Sequence, residues 1–221
     1  MGLILKSNNY NIKIDSNKII GVMGKDYDRF LVSIKGRDIS YIGKLDSFYT
    51  NSVYDEINLY ENDNNIIEMY LDKLLLNKDF LSKKISDLSS GEKHLLRYLI
   101  GFIQNKNIII IDEPFMDLDY NYKKRIIYLL NEMINNKTVI IGSFSSDIIY
   151  SIASKILLIN DNNYFYGDIK RVFSDLDILS LYNIKMPEIV KFVALARNNK
   201  GIMIDYSNDV RDLIKDVYRN V

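Results

Sequence analysis

The feature that most constrains the fold is one apolar run that ends in two acids. Residues 107–114 read NIIIIDEP, so four consecutive isoleucines precede Asp112 and Glu113. An uninterrupted β-branched run is typical of a central strand in a parallel sheet, which is buried on both faces. The carboxyl ends of such strands are where α/β proteins bind their ligands. We therefore predict a buried strand that delivers two carboxylates to a ligand-binding edge.

Taken alone, the two carboxylates have two interpretations. Asp112 could hold Mg²⁺, directly or through water, and Glu113 could orient or deprotonate a water molecule. The alternative is an acidic turn that ends a strand, and for this dipeptide alone that is the simpler interpretation. The choice between them depends on the other motifs of the chain.

Other apolar runs alternate with amphipathic segments along the chain. Apolar residues make up 48% of the sequence, which is enough to bury a core. The periodicities predict further strands at 10–14, 18–23, 138–143 and 155–160, a hairpin closed by 163–166, and helices at 90–104, 122–135, 146–154, 169–173, 176–182, 187–198 and 207–217. Strands that alternate with helices predict an α/β protein with a mostly parallel sheet.

Charge and residue counts exclude several classes of function. The 29 basic and 29 acidic side chains cancel, so no nucleic-acid partner is expected. The absence of cysteine excludes zinc–thiolate sites and cysteine nucleophiles, and a single histidine excludes multi-histidine metal sites. We expect that histidine, His94, to face solvent on its helix. No apolar run reaches the ~20 residues that span a bilayer and no secretory signal is evident, which predicts a soluble, cytosolic protein.

A second motif, LSSGE at residues 88–92, precedes the acidic strand by one predicted helix. Ser89, Ser90 and Gly91 at a helix start would offer backbone N–H groups and a hydroxyl to an anion, at the positive end of the helix dipole. The alternative is an ordinary cap, in which Ser89 or Ser90 caps the helix and Glu92 lies in its first turn.

Taken in order, LSSGE, a helix, NIIIIDEP and Leu118-Asp119 resemble the signature, Walker B strand and D-loop of ATP-binding-cassette (ABC) ATPases. The resemblance implies a P-loop-NTPase-like (RecA-like) α/β fold with a reduced antiparallel β-subdomain and a small helical subdomain. It makes Asp112 the Walker B aspartate and magnesium ligand, Glu113 the catalytic position, and Asp119 the D-loop residue. It also implies ATP and Mg²⁺ as cofactors.

The segment that should bind the phosphates departs from the family. Gly21 and Gly24 hold the expected glycine positions of the Walker A segment, but the glycine-rich loop that should follow is missing. In a gap-free alignment Tyr27 and Arg29 replace glycines, and Phe30 replaces the phosphate-binding lysine. Bulky residues resist the positive φ angles with which such a loop aims its N–H groups at phosphate. The resemblance therefore implies a degenerate Walker A.

Two further family positions are altered, and one alternative alignment stays open. Lys44 occupies the Q-loop glutamine position and Phe144 the switch-histidine position. A lysine cannot coordinate Mg²⁺ as an amide oxygen does, and a phenyl ring cannot hydrogen-bond a γ-phosphate. A gapped alignment makes Lys25 the phosphate lysine, but Asp26 then replaces the magnesium-binding hydroxyl and the loop is too short.

The tail resembles the C-terminal helical extension of the ATPase subunits of energy-coupling-factor (ECF) transporters. The likeness rests on residues 168–174, 186–197 and 207–214, and on FYTNSVYDEI at 48–57. It implies a nucleotide-binding domain at 1–167, with a helical subdomain at about 46–104, and a C-terminal extension at 168–221.

Cassette ATPases work as dimers in which each ATP lies between one subunit's Walker motifs and the other's signature. The resemblance therefore implies the degenerate half of a heterodimeric pair, which lends LSSGE to ATP held by an intact partner ATPase and helps to power uptake of a small molecule such as a vitamin or metal ion. Further expected partners are a polytopic membrane coupling subunit and a substrate-binding membrane subunit, at the inner face of the cell membrane. Two alternatives stay open: an active ATPase with an unorthodox phosphate loop, and a non-transport regulatory cassette protein.

Overall fold

The computed structural model describes residues 2–7, 10–34, 36–43, 48–160 and 163–200, and side chains as far as residue 195. The strands are β1 (Gly2–Lys6), β2 (Asn11–Asp15), β3 (Ile19–Gly24), β4 (Ile39–Ile42), β5 (Ile108–Asp112), β6 (Thr138–Gly142), β7 (Lys155–Asn160) and β8 (Asn163–Asp168). The α-helices are α1 (Tyr27–Ser33), α2 (Val53–Asn58), α3 (Asn64–Lys73), α4 (Ser90–Ile103), α5 (Tyr120–Met133), α6 (Ser146–Ile152), α7 (Ile169–Phe173), α8 (Leu176–Leu181) and α9 (Glu188–Lys200). Two short 3₁₀ segments, Lys78–Ser82 and Ile85–Asp87, lie between α3 and α4.

The main sheet has six strands in the order β4-β5-β6-β3-β7-β8. Its first five strands are parallel, and β8 runs antiparallel to β7. The strands β1 and β2 form a separate antiparallel pair. The fold is therefore α/β with a mostly parallel sheet and a small antiparallel sheet, as the sequence predicts.

Alternate residues of the central strands fill two cores, one on each face of the main sheet. In β5, Ile109 and Ile111 join the larger core, which α4, α5 and α6 cover, whereas Ile110 joins the smaller one. The smaller core also contains Ile12 of β2 and Leu31 of α1. Both faces of β5 are thus buried, which explains why its sequence carries no polar alternation.

The structure differs from the sequence prediction mainly near the start of the chain. β1 was not predicted, and α1 begins at Tyr27, inside the segment that the family resemblance assigns to the phosphate loop. The other predicted strands and helices lie within a few residues of the observed ones. The predicted helix at 207–217 and the Q-loop position Lys44 lie outside the described residues.

The first helices after residue 168 belong to the main core. Ile169, Val172 and Phe173 of α7 are buried in the larger cluster, and the Phe173 ring packs edge-on against Tyr150 at 5.4 Å. The division at residue 168 therefore stays a prediction about chain organisation, because α7 packs against the preceding part. None of the described helices is long and apolar enough to cross a membrane.

Candidate functional site

The carboxyl ends of the parallel strands meet at one edge of the sheet. Asp112 of β5 lies in register beside Gly142 of β6, and Gly142 lies beside Val22 of β3. The Glu113 amide donates to the Gly142 carbonyl at 2.9 Å. Both acids of the predicted Walker B motif therefore lie at the edge where parallel sheets bind their ligands.

Glu113 is held by three hydrogen bonds from the chain itself. The Tyr27 hydroxyl and the Phe144 amide each donate to its Oε1 at 2.9 Å, and the Ser143 hydroxyl donates to its Oε2 at 2.9 Å. An ionised carboxylate has about four acceptor positions. Most of the hydrogen-bonding capacity of Glu113 is therefore directed to the fold rather than to a water molecule.

Tyr27 fills the space in front of Glu113. Its side chain is 1% exposed. Its ring packs edge-on against Phe144 at 4.7 Å and lies so close to Gly142 that a Cβ there would be 2.6 Å from its Cε2. Burial, followed by the hydrogen bond and charge of Glu113, raises the pKa of Tyr27 well above its usual range. The hydroxyl therefore stays protonated and acts as the donor.

A second tyrosine reaches the other acid. The Tyr41 hydroxyl, from β4, donates to Asp112 Oδ2 at 3.4 Å. Burial and then the negative charge of Asp112 raise the pKa of Tyr41 above its usual range, so this hydroxyl also remains a donor. Each acid of the predicted Walker B motif thus has a tyrosine hydroxyl beside it.

The segment that should form the phosphate loop is a short turn and a helix. Only Lys25 and Asp26 separate β3 from α1, and the Phe30 amide donates to the Asp26 carbonyl at 3.0 Å within the helix. The Phe30 side chain is buried in the smaller core and lies edge-on to Tyr10 at 6.0 Å, whereas Lys25 is exposed. The helix therefore takes up backbone amides that a phosphate loop would present to its ligand.

Both glycines of the predicted Walker A segment occupy crowded positions. Gly24 has a φ of 119°, and a Cβ there would lie 1.9 Å from the Ile159 carbonyl oxygen. A Cβ at Gly21 would lie 2.3 Å from a methyl group of Ile149. Packing alone therefore requires glycine at both positions, whether or not a phosphate binds.

These residues do not fit ATP and Mg²⁺ at this chain's own site. Tyr27 fills the space beside Glu113, and the loop of outward-facing amides is replaced by a helix. In the part of the chain that the structure describes, no group of three His, Cys, Asp or Glu side chains is placed to hold a metal ion. Within these described residues, Asp112 and Glu113 are two adjacent carboxylates that no third acidic side chain joins to form a metal-binding group.

The signature segment forms a complete capping box at the start of α4. The Ser89 hydroxyl accepts from the Glu92 amide at 3.2 Å, and the Glu92 side chain accepts from the Ser89 amide at 2.9 Å. Lys83 also donates to Glu92 at 2.6 Å, and this bond is the main cause that lowers the pKa of the Glu92 carboxyl. The capping interpretation of Ser89 is therefore realised, and Ser90 is exposed at the first helical position.

The turn that carries the predicted D-loop packs against the same helix start. A Cβ on Gly91 would lie 2.6 Å from the Asp117 carbonyl oxygen, so this close approach requires glycine. The Pro114 carbonyl accepts from the Tyr98 hydroxyl of α4 at 2.6 Å. Asp119 caps α5 by accepting from the Tyr122 amide at 3.0 Å. The turn from Glu113 to Asp119 thus joins the acidic strand to the signature helix.

The expectation that His94 faces solvent is wrong. Its side chain is 1% exposed and its ring lies 5.2 Å from that of Tyr98, because α4 is packed between the sheet and the helices before it. Among the described residues, neither ring nitrogen has a hydrogen-bond partner. Burial, and then the nearby Arg97 charge, lowers the pKa of His94 to about 4.

The structure brings together one group of the predicted residues and adds three that the sequence did not single out for this role. Phe144, Asp112 and Glu113 share one edge of the sheet, and Phe144 contributes its amide and ring rather than a switch side chain. The added residues are Tyr27, Tyr41 and Ser143. A sequence signal existed for Tyr27 alone, as an aromatic residue in place of a loop glycine.

Comparison with known proteins finds relatives of this chain by sequence. No family model matches the sequence. An energy-coupling factor transporter ATP-binding protein of Methanococcus maripaludis is 28% identical over 145 residues, which cover 62% of this chain and 52% of the relative. A putative ABC transporter ATP-binding protein of Mycoplasma genitalium is 27% identical over 177 residues, which cover 76% of this chain and 49% of the relative. The chain thus spans about half the length of these curated relatives.

Solved structures share the fold. CbiO1 of Clostridium perfringens, part of the ABC transporter complex CbiONQ, has a TM-score of 0.62 at 17% identity, over 86% of this chain and 98% of its own. The solved structure thus shares the fold of this chain, and the relatives found by sequence are ABC transporter ATP-binding proteins. The chain is therefore a relative of the ABC transporter ATP-binding proteins, energy-coupling factor proteins among them, and it has the fold of an ABC ATPase.

Proposed function

We propose that the chain is the degenerate half of a heterodimeric ABC ATPase, in which it lends its signature to ATP held by an intact partner subunit. The observation that carries the proposal is the Tyr27–Glu113 hydrogen bond, because it closes this chain's own site while the signature helix start is fully formed. ATP and Mg²⁺ then bind mainly through the Walker motifs of the partner. Hydrolysis takes place in the partner's site.

The groups that the signature offers follow from its capping geometry. The Ser89 hydroxyl already accepts a bond within its own helix. The first amides of a helix have no acceptor inside the helix, so those of Ser90 and Gly91 are the donors available to a γ-phosphate. The Ser90 hydroxyl and the positive end of the helix dipole add to this anion site. Asp119 lies in the turn beside it and supports the interface.

The same pair would drive a transporter for a small molecule such as a vitamin or a metal ion. A groove lined by Phe48, Thr50, Asn51, Lys84, Ile85 and Ser86 lies on the predicted helical subdomain. Two large side chains near it, Tyr49 and Tyr54, are 85% and 44% exposed. We assign this surface, together with its surroundings near residues 44–80, to a polytopic membrane coupling subunit, itself bound to a substrate-binding membrane subunit. The chain would then lie at the inner face of the cell membrane.

The proposal is tested by isolating the chain with its natural partner ATPase and measuring steady-state ATP hydrolysis by the reconstituted pair. We expect Gly91→Asp to lower turnover by about 10²–10³-fold, because a carboxylate would displace donors that stabilise transition-state charge. We expect Glu113→Gln to change turnover little, because Glu113 faces the closed site.

A second variant separates electrostatics from folding. Gly91→Asp also brings a Cβ against the Asp117 carbonyl, so it perturbs the structure as well. Ser90→Asp adds the same charge at an exposed first helical position, where an acid favours the helix dipole. It should therefore keep the fold and still lower turnover. The control is Gly36→Asp, at an exposed position away from the signature, which should leave turnover unchanged. Normal turnover with Ser90→Asp, or loss of turnover with Glu113→Gln, would contradict the proposal, because either result would place the working ATP site in the other half of the pair.

A further inference from the structure

The turn between β5 and α5 holds two residues in a conformation that L-amino acids rarely adopt. Glu113 has a φ of 50° and Asp117 a φ of 57°. The turn is closed by the Met116 amide, which donates to the Glu113 carbonyl at 3.3 Å, and by the Leu118 amide, which donates to the Phe115 carbonyl at 3.4 Å. Such conformations persist only where surrounding contacts over-determine them. For Glu113 these contacts are the three donors on its side chain and the bond from its own amide to the Gly142 carbonyl.

The far end of this turn is seated on the signature helix. The Asp117 carbonyl approaches Gly91 so closely that only glycine fits there. The Pro114 carbonyl accepts from the Tyr98 hydroxyl, two helical turns further along α4. The position of the turn and the position of the helix start are therefore linked by direct contact.

Together these contacts form a continuous path from Tyr27, through Glu113 and the turn, to Gly91. The Tyr27 ring is buried, lies close to Gly142 and packs edge-on against Phe144. Its hydroxyl is therefore a fixed donor rather than a mobile one. In this chain a buried tyrosine supplies, from within the fold, a bond to the residue at the catalytic position.

We propose that Tyr27 is a positioning residue for the signature: its bond to Glu113 keeps the 113–119 turn seated on α4, so that Gly91 is held in place while this chain's own site stays closed. The role of Gly91 toward a partner's ATP rests on the proposed function. The mechanical link from Tyr27 to Gly91 does not, and it can be measured on the isolated chain.

The test is amide hydrogen exchange of the full-length chain with Tyr27→Phe, which removes only the hydroxyl and keeps the ring. Because the variant loses a hydrogen bond to a charged group, the exchange rate of the backbone amides should rise about tenfold in residues 113–119 and also in residues 89–93. The matched control is Tyr166→Phe in β8, which removes a hydroxyl that donates to Asp15 at 3.1 Å and should leave both segments unchanged. Faster exchange in 113–119 alone, or equal acceleration throughout the sheet including β7, would overturn the proposal.

Variants at Glu113 give a second measurement of the same link. Glu113→Gln keeps an acceptor for Tyr27 and Phe144 and should keep most of the protection at 89–93, whereas Glu113→Ala should lose it. If both behave alike, Tyr27 does not act through Glu113. The two proposals can fail separately. If Tyr27→Phe raises exchange in both 113–119 and 89–93 but Ser90→Asp leaves ATP turnover normal, the proposed function is wrong. If Ser90→Asp lowers turnover but Tyr27→Phe leaves exchange at 89–93 unchanged, the positioning role is wrong.

Discussion

At the scale of single residues, a motif position can be kept for packing alone. Gly24 matches a glycine of the Walker A segment, yet its positive φ and its close approach to the Ile159 carbonyl account for glycine without any phosphate. Gly91 matches the signature, and the Asp117 carbonyl accounts for it in the same way. A matching glycine is therefore weak evidence for nucleotide binding. The groups that surround the glycine decide the question.

Gly24→Ala should destabilise the chain by about 2–5 kcal/mol, because alanine is strained at positive φ and its Cβ would overlap backbone that cannot move aside. Urea unfolding measures the change. Gly36→Ala is the matched control, since a Cβ there meets only the flexible end of Ile39 at 2.9 Å. It should change stability by less than about 1 kcal/mol. Equal effects at both positions would contradict the packing explanation.

His94 should make folding stability depend on pH. Its pKa is about 4 in the fold, below its ordinary value of about 6.5 in an unfolded chain. The unfolded chain therefore binds the proton first, so stability is complete above about pH 6.5 and is lost as the pH falls toward 4. The slope should approach 1.4 kcal/mol per pH unit, for a total of about 3 kcal/mol.

His94→Leu provides the comparison for that prediction. The groups facing His94 include Arg97, which lowers its pKa, and Asp117, which raises it, and both remain in the variant. Acid-sensitive carboxylates such as Glu92 also remain, so they cancel from the difference. The stability difference between wild type and variant should shift between pH 6.5 and 4. A difference that stays flat over this range would show that the fold does not lower the pKa of His94.

At the scale of elements, the central strands could be predicted from sequence, whereas β1 and the contacts between distant segments could not. β5 was predictable because burial on both faces leaves an unbroken apolar run. α1 was not, because a motif alignment assigned its residues to a loop, whereas the buried Tyr27, Phe30 and Leu31 favour a helix packed on the sheet. The Tyr27–Glu113 bond joins positions 86 residues apart, and no local pattern encodes that pairing.

Because α1 replaces the phosphate loop, the isolated chain should bind Mg-ATP only weakly. Loss of the lysine and of the amide cradle should remove several kcal/mol of binding free energy, and each 1.4 kcal/mol is about tenfold in Kd. Calorimetry of the purified chain measures this, with an intact cassette ATPase under the same conditions as the control. Micromolar binding by the isolated chain would contradict the closed site and favour an active ATPase with an unorthodox loop.

At the scale of the whole molecule, the two cores decide which parts can be removed without unfolding it. Residues of α7 lie within the larger core. Truncation at residue 168 would therefore expose buried apolar surface and destabilise the fold, so it could not report on subunit association alone. α9 is different: Ile189 and Val190 pack against the core, while Phe192 and Leu195, one helical turn apart, are 47% and 58% exposed. This outer face is where an assembly contact can be tested without disturbing the fold.

The paired substitution Phe192→Ser and Leu195→Ser should weaken association with the partner ATPase while leaving thermal stability of the isolated chain nearly unchanged. Burying two half-exposed apolar side chains stabilises an interface enough that their loss should raise Kd about 10–100-fold. Analytical ultracentrifugation of the mixed subunits measures this. Ile4→Ser serves as the control, because Ile4 is similarly exposed, at 57%, on the two-stranded sheet. An unchanged Kd for the α9 variant, or an equal loss with Ile4→Ser, would show that the C-terminal helix does not form the contact between the two ATPase subunits.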